Sequence, residues 1–253
     1  MKIETFALHH LSTQNEQIVV DPASFDPHFD SLAYSNFKHG DGKATQNYGE
    51  ALAELVQACG ATSSGEQLFI SGSAYEFVPT AAAHLAASLS QALRRQGVRT
   101  TYFHTGNKAV SAKGDVPTGD FSSMTAEQRA AVLAVNRPCL DTETQTMIDG
   151  GKVITVDDIR MTGAHERTLL ELFEATGVET SLFCYIAVFD AVQGAKSSQV
   201  EAKINQKHVH DLSDLSQIAN QKPFLPNARV SRFVLGASSE DCLLYTSPSP
   251  RDS

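Results

Sequence analysis

No stretch of the 253 residues approaches the ~20 consecutive apolar residues of a membrane span, so a transmembrane helix is not expected. The opening segment, MKIETFALHH, lacks the apolar core of a secretory signal. Basic charge is also short. There are 20 Lys and Arg against 29 Asp and Glu, a net charge of −9 and a pI near 5.4. That balance argues against broad nucleic-acid binding, which needs a basic face. It leaves room for a small anionic ligand, because local donors hold such ligands rather than net charge. Paired cysteines are missing: Cys59, Cys139, Cys184 and Cys242 are scattered, with no CxxC. This argues against a cysteine zinc site and more strongly against a disulfide framework, and a reducing cytoplasm is the expected compartment. No cysteine sits in a motif that would activate it as a nucleophile. No internal repeat is visible.

Hydrophobic residues make up 42% and charged residues 19%, an ordinary globular balance with enough apolar surface to offset chain entropy. The length suits one large domain, or a domain with an appendage. Residues 242–253 change character, with serines and prolines following what reads as a strand over 231–236. The peptide CLLYTSPSPRD resembles the conceptual translation of a sequencing-library adaptor. On that resemblance the native sequence runs only to about Asp241 and is truncated there; a natural Ser/Pro tail is the plainer alternative.

Apolar spacing predicts helices over 47–58, 80–96, 125–136, 166–175 and 212–219, and strands at 68–70, 100–103, 152–156 and 182–189. Residues 182–189 are apolar on both faces, as a buried parallel strand is. Alternating strands and helices imply an α/β sheet wrapped by helices. The first thirty residues, with Asp21-Pro22 and Asp26-Pro27, read as turns. Residues 106–123 read as a long polar loop.

The chemistry concentrates in Val153-Ile-Thr-Val-Asp-Asp-Ile-Arg-Met-Thr-Gly-Ala-His165. A buried strand runs into two carboxylates at the carboxyl edge of the sheet, where ligands of open α/β sheets sit. A helix N-terminus after the loop offers unpaired N–H groups to a phosphate, Gly163 permits close backbone approach and Thr162 adds a hydroxyl. Asp157 and Asp158 repel phosphate but accept hydrogen bonds from hydroxyls and favour developing positive charge. A sugar phosphate with vicinal hydroxyls and a cationic transition state satisfies both features. The competing reading is a solvated turn, or the acid pocket of a receiver-type domain. The receiver reading fails because Ser71 occupies the strand end where an acceptor aspartate belongs.

This segment resembles the phosphoribosyl-pyrophosphate signature of type I phosphoribosyltransferases. The resemblance implies an α/β fold with a central, mainly parallel sheet flanked by helices and a variable hood. It implies that Asp157 and Asp158 hold the ribose hydroxyls and are the catalytic acids. Arg160, Met161, Thr162, Gly163 and Ala164 then wrap the 5′-phosphate, with His165 standing where the family usually has Thr or Ser. Phe69-Ile-Ser-Gly-Ser-Ala74 resembles the pyrophosphate loop, which assigns Ser71, Gly72, Ser73 and Ala74 to the diphosphate; an ordinary strand-to-helix turn is the alternative. Lys108 and Lys113 fall where the family often has a mobile flap. They are either leaving-group cations or solvated lysines. Lys38, Gly40 and Asp41 resemble the Lys-x-Gly-Asp stretch of the ComF-like branch. Gly40-Asp-Gly-Lys43 has no preceding strand and is no Walker loop.

The resemblance implies an Mg2+-dependent enzyme that transfers the phosphoribosyl group to a nucleobase-like nitrogen and releases pyrophosphate. Mg2+ is then held by substrate rather than by direct protein ligation. A non-catalytic sensor of phosphoribosyl pyrophosphate or nucleotide is the alternative, because fold does not settle function. Neither nucleic acid nor membrane is an expected partner, and a homodimer is compatible with the resemblance. The expected organisation is an N-terminal segment at 1–45 that could form the hood, a core at 46–190, a peripheral and truncated segment at 191–241, and a non-native tail at 242–253.

Overall fold

Apolar runs become strands wherever both faces can be covered. The computed structural model describes residues 1–14, 17–63, 65–109, 124–189, 194 and 199–236. Six strands form the main sheet: β1 (Lys2–Gln14), β2 (Gln17–Val20), β3 (Gln67–Ser71), β4 (Arg99–Tyr102), β7 (Lys152–Arg160) and β8 (Thr180–Phe189). Their order is β2-β1-β8-β7-β3-β4. Every neighbouring pair is parallel except β1 and β2. A separate antiparallel ribbon joins β5 (Gly106–Ala109) to β6 (Asn136–Cys139). The sheet is thus central and mainly parallel, with helices on both faces.

One face is covered by α1 (Ser31–Lys38), α2 (Gly42–Ala58) and α3 (Ala81–Arg95), whose Leu52, Val56, Leu85 and Leu89 pack on Ile70, Ile154, Val156 and Cys184. On the other face lie α5 (Thr142–Ile148) and α6 (Ala164–Thr176), with Leu169 and Phe173 against Val153 and Phe183. Burying each large side chain of this kind contributes roughly 1.5–3 kcal/mol. Helix α4 (Ala126–Val135) starts at a capping box formed by Thr125 and Gln128. The C-terminal helices α7 (Gln199–Asn205), α8 (Leu212–Ala219) and α9 (Ala228–Gly236) enclose a small core of Val209, Leu215, Ile218 and Val230.

Several local outcomes differ from the sequence reading, among them strand β5 at the start of the segment read as a loop over 106–123. Helix α2 begins at Gly42 rather than Asn47, because the Asp41 carboxylate caps it, accepting from the Lys43 and Ala44 amides at 2.8 and 3.0 Å. The first fourteen residues contain a sheet strand, β1, which buries Ala7, Leu8 and Leu11 beside β8. The segment 231–236 is not a strand: it lies within helix α9, where Val230 faces Leu215 and Ile218. A short apolar run carries no period long enough to separate the two, and packing decides. The tail at 242–253 and Lys113 lie outside the described residues.

A strap at 223–228 ties the C-terminal segment to the sheet-side helices. The Gly42 amide donates to Pro223 O at 2.9 Å, Leu225 N to Gly40 O at 2.8 Å, and Ala228 N to Pro79 O at 2.9 Å. Gly40 sits at φ +92°, and a Cβ there would fall 2.8 Å from Leu225 O, so only glycine lets the strap approach. Among the described residues no helix is long and apolar enough to cross a membrane.

Candidate functional site

Strand β7 does not stop at Val156; it continues through Asp157, Asp158 and Ile159 to Arg160, paired with β8 at Asp157–Tyr185 and Arg160–Val188. Side chains alternate along a strand, so the two adjacent acids leave on opposite faces. Asp158 follows Ile154 and Val156 towards α1, where it forms an ion pair and short hydrogen bond with the Lys38 ammonium. Asp157 follows Val153 towards α6, where His165 Nδ1 lies 3.0 Å from its Oδ2. Both acids still line one cavity of about 520 Å³, together with residues 159–165.

The environment sets the charge state of the first acid. Burial alone raises the Asp157 pKa, but the hydrogen bond and charge of His165, then the Lys38 ammonium, outweigh it and hold the carboxyl below its ordinary 3.8. Asp158 is 7% exposed, so the competing reading of a solvated turn does not fit it. The second ring nitrogen of His165 has no hydrogen-bond partner among the described residues.

The loop after β7 is built for close approach. Gly163 adopts φ +67° as the N-cap of α6 and brings no side chain of its own to the cap, so the start of α6 borders the cavity through its backbone. A Cβ at Gly163 would sit 3.1 Å from Arg160 Nη2. Arg160 is held across the loop by Glu166 at 2.8 Å, and the Tyr185 hydroxyl donates to the same Glu166 oxygen at 3.0 Å. Thr162 turns its hydroxyl towards the Ala164 amide, 3.4 Å away, and Arg167 Nη1 donates to the Thr162 carbonyl at 3.1 Å. The Gly194 Cα packs so closely on the Met161 carbonyl that a Cβ could not fit.

The loop after β3 meets the same cavity, but only in part. Ser73 and Ala74 line it; Ser71 and Gly72 do not. The Ser71 hydroxyl is buried against Thr105 Oγ1 at 2.8 Å, and Gly72 lets β3 pack on α3, where a Cβ would fall 2.6 Å from Ala83 Cα. Those two residues therefore have structural roles on this geometry. Ser73 Oγ lies 2.7 Å from Thr80 Oγ1, the cap of α3, and Asn107 Nδ2 donates to Ala74 O at 3.1 Å, which brings the β5–β6 ribbon to the rim. Lys108 sits in β5 opposite Arg137; its side chain lies outside the described residues.

Further charges reach the cavity from α4, inside the expected core, and from the C-terminal segment that the sequence left peripheral. Arg129 of α4 and Glu201 of α7 pair at 3.0 Å, both nearly buried. Burial pushes the Glu201 pKa up, with Lys38, Arg129 and Arg229 pulling against it and Asp158 adding to the rise. Arg229 and Arg232 line the cavity from α9. Helical spacing puts residues three apart on one face, whereas a strand over this segment would send them to opposite faces. The strand reading over 231–236 took in Arg232 and left Arg229 outside it.

No group of three His, Cys, Asp or Glu among the described residues is placed to hold a metal ion. Four of the carboxylates at the cavity, Asp158, Asp157, Glu166 and Glu201, are already paired with Lys38, His165, Arg160 and Arg129, an arrangement that does not form a protein cage for a resident ion. Cys59, Cys139 and Cys184 are free thiols; burial pushes the Cys184 thiol far up, which leaves it inert.

A family model described as PRTase ComF-like matches residues 3–246. No curated protein matches. Among solved structures, the hypoxanthine-guanine phosphoribosyl transferase of L. donovani is 10% identical, with 58% of this chain and 72% of that one covered at a TM-score of 0.38. A hypoxanthine phosphoribosyltransferase from Staphylococcus aureus is 14% identical, covering 66% of this chain and 76% of that one, TM-score 0.36. One from Trypanosoma cruzi, in complex with the product IMP, is 15% identical over 59% of this chain and 74% of that one, TM-score 0.35.

Proposed function

The chain belongs to the ComF-like phosphoribosyltransferase family, and from that premise we propose that it transfers the 5-phosphoribosyl group of phosphoribosyl pyrophosphate to a nucleobase-like nitrogen, releasing pyrophosphate. The observation that carries the reading is the meeting, in one 520 Å³ cavity, of the acid pair on β7, the uncapped start of α6 and the Ser73–Ala74 loop. The three features answer the three parts of one ligand: vicinal hydroxyls, a 5′-phosphate and a diphosphate.

In this reading the amides at 163–165 and the Thr162 hydroxyl hold the 5′-phosphate at the helix N-terminus. Asp157 and Asp158 accept hydrogen bonds from the ribose hydroxyls and fix the ring. As the C1–O bond to diphosphate breaks, positive charge develops on the ring, and two ionised carboxylates stabilise it. His165 and Lys38 favour the ionised form of Asp157, and Lys38 orients Asp158. The acceptor nitrogen forms the new bond at C1 and loses its proton, while the electron pair leaves with the diphosphate. A magnesium ion carried in with the substrate would supply charge neutralisation for the leaving group, and Asp157 and Asp158 are the residues that would hold the ribose beside it. A panel of nucleobases incubated with phosphoribosyl pyrophosphate and Mg2+, read by pyrophosphate release, tests the proposal; release with none of them counts against transfer.

One observation favours a second reading, a sensor that binds phosphoribosyl pyrophosphate without turning it over. Both acids already have partners within the protein, Lys38 for Asp158 and His165 for Asp157. Saturable binding with no pyrophosphate release from any acceptor is its signature.

A further inference from the structure

Three cations on the cavity wall answer carboxylates within the protein: Lys38 with Asp158, Arg129 with Glu201 and Arg160 with Glu166. Two more, Arg229 and Arg232, line the same cavity from α9. They are three residues apart on a helix and so share a face. Arg229 also acts electrostatically on Glu201, and Arg232 is exposed.

The position of α9 is fixed by its first turn. The Ala228 amide donates to Pro79 O at 2.9 Å, and His84 Nε2 of α3 donates to Pro226 O at 3.0 Å. Pro79 precedes Thr80, whose hydroxyl bonds Ser73 at 2.7 Å. The start of α9 therefore abuts the Ser73–Thr80 end of the cavity, the end assigned to the diphosphate. The loop there has little charge of its own to offer: it supplies Ser73, Ala74 and the Glu76 carboxylate, which repels an anion. A diphosphate bound at that end needs cations from elsewhere.

We propose that Arg229 and Arg232 of the C-terminal helix are the diphosphate clamp of this site, binding the leaving group of phosphoribosyl pyrophosphate and the pyrophosphate product. This rests on the phosphoribosyl reading above. Guanidinium groups suit the task, since their planar fork donates two parallel hydrogen bonds to phosphate oxygens. The C-terminal segment is then part of the binding site rather than an appendage.

The test is calorimetric titration of the full chain, in Mg2+, with phosphoribosyl pyrophosphate, inorganic pyrophosphate and ribose 5-phosphate. Arg232→Gln, Arg229→Gln and the Arg232→Lys variant are compared with the unmodified chain. Each Gln variant is expected to weaken phosphoribosyl pyrophosphate and pyrophosphate by about ten- to a hundredfold, the loss of a hydrogen bond between charged groups, and to leave ribose 5-phosphate unchanged. Arg232→Lys, which keeps the charge and loses the fork, should fall between. Arg232 is exposed, so its substitution should not move the melting temperature; if Arg229→Gln does, the Arg232 variants alone decide. Equal weakening of all three ligands, or of none, overturns the clamp, as does a loss confined to the acceptor's KM, which would make α9 an acceptor-recognition element. If the unmodified chain binds neither phosphoribosyl pyrophosphate nor ribose 5-phosphate, the phosphoribosyl reading itself falls and takes the clamp with it.

Discussion

Lys38 and Asp158 stand 120 residues apart in sequence and form one buried ion pair, their side chains 11% and 10% exposed. The pair joins the end of α1 to the acid strand, so the second acid of the signature is part of the fold as well as part of the cavity. Removing one partner of such a pair leaves an uncompensated charge and costs about 3–5 kcal/mol. Asp158→Asn is therefore expected to lower stability, contrary to what a solvated strand-end carboxylate would do. Lys38→Met should cost a similar amount, and the double variant should be more stable than either single one. Urea unfolding of the four proteins measures this coupling directly.

The pairing of Asp157 with His165 predicts an acid-limb effect. The folded pKa of Asp157 lies below its unfolded value, so the stability it contributes is present above the unfolded pKa. That stability is lost as pH falls through the lowered folded value. His165→Asn removes the hydrogen bond and charge that depress it, so the loss should begin at higher pH. Melting temperatures across about pH 2–6 check the shift, and superposable acid limbs would argue against it.

At Gly163 the backbone is left-handed and the nearest atoms to an added Cβ belong to the Arg160 guanidinium. Gly163→Val should strain the backbone by about 1–2 kcal/mol and crowd Arg160. The melting temperature should fall modestly, while ribose 5-phosphate and phosphoribosyl pyrophosphate binding are both abolished.

Two hydroxyls separate the phosphate subsites. Thr162→Ala is expected to weaken both phosphoribosyl pyrophosphate and ribose 5-phosphate by about 1–2 kcal/mol, one hydrogen bond to a charged group. Ser73→Ala should weaken only the diphosphate-bearing ligand. Titration calorimetry of both variants with both ligands makes the comparison, and equal effects of Ser73→Ala on the two would merge the sites.

The sequence made legible those parts of the molecule where one element carries its own signal. Strands β3, β7 and β8 contain apolar runs, β4 is a β-branched and aromatic stretch, and α8 was bounded correctly at Leu212–Ala219 because its caps and period agree. Strand β1 escaped notice: polar residues are interspersed among Phe6, Ala7, Leu8 and Leu11, and its place beside β8 is a long-range pairing that no local pattern encodes. Helix α9 read as a strand because Phe233, Val234 and Leu235 are adjacent and apolar, yet Val234 and Leu235 are exposed and Val230 alone is fully buried. The acid pair and the Gly163 loop were legible as a local motif. Their partners Lys38, Glu201 and Arg129 were not recognisable as a network, since chain folding alone brings α1, α4 and α7 together.

The central claim is that the cavity between β7, α6 and the Ser73–Ala74 loop is a phosphoribosyl-pyrophosphate site. The most direct measurement is titration of the full chain with phosphoribosyl pyrophosphate in Mg2+, repeated with excess ribose 5-phosphate and with Gly163→Val. The account predicts saturable one-site binding, competition by ribose 5-phosphate and no binding to a Gly163→Val protein that still melts cooperatively. Absence of binding to the unmodified chain, or undiminished binding to a folded Gly163→Val variant, would contradict it.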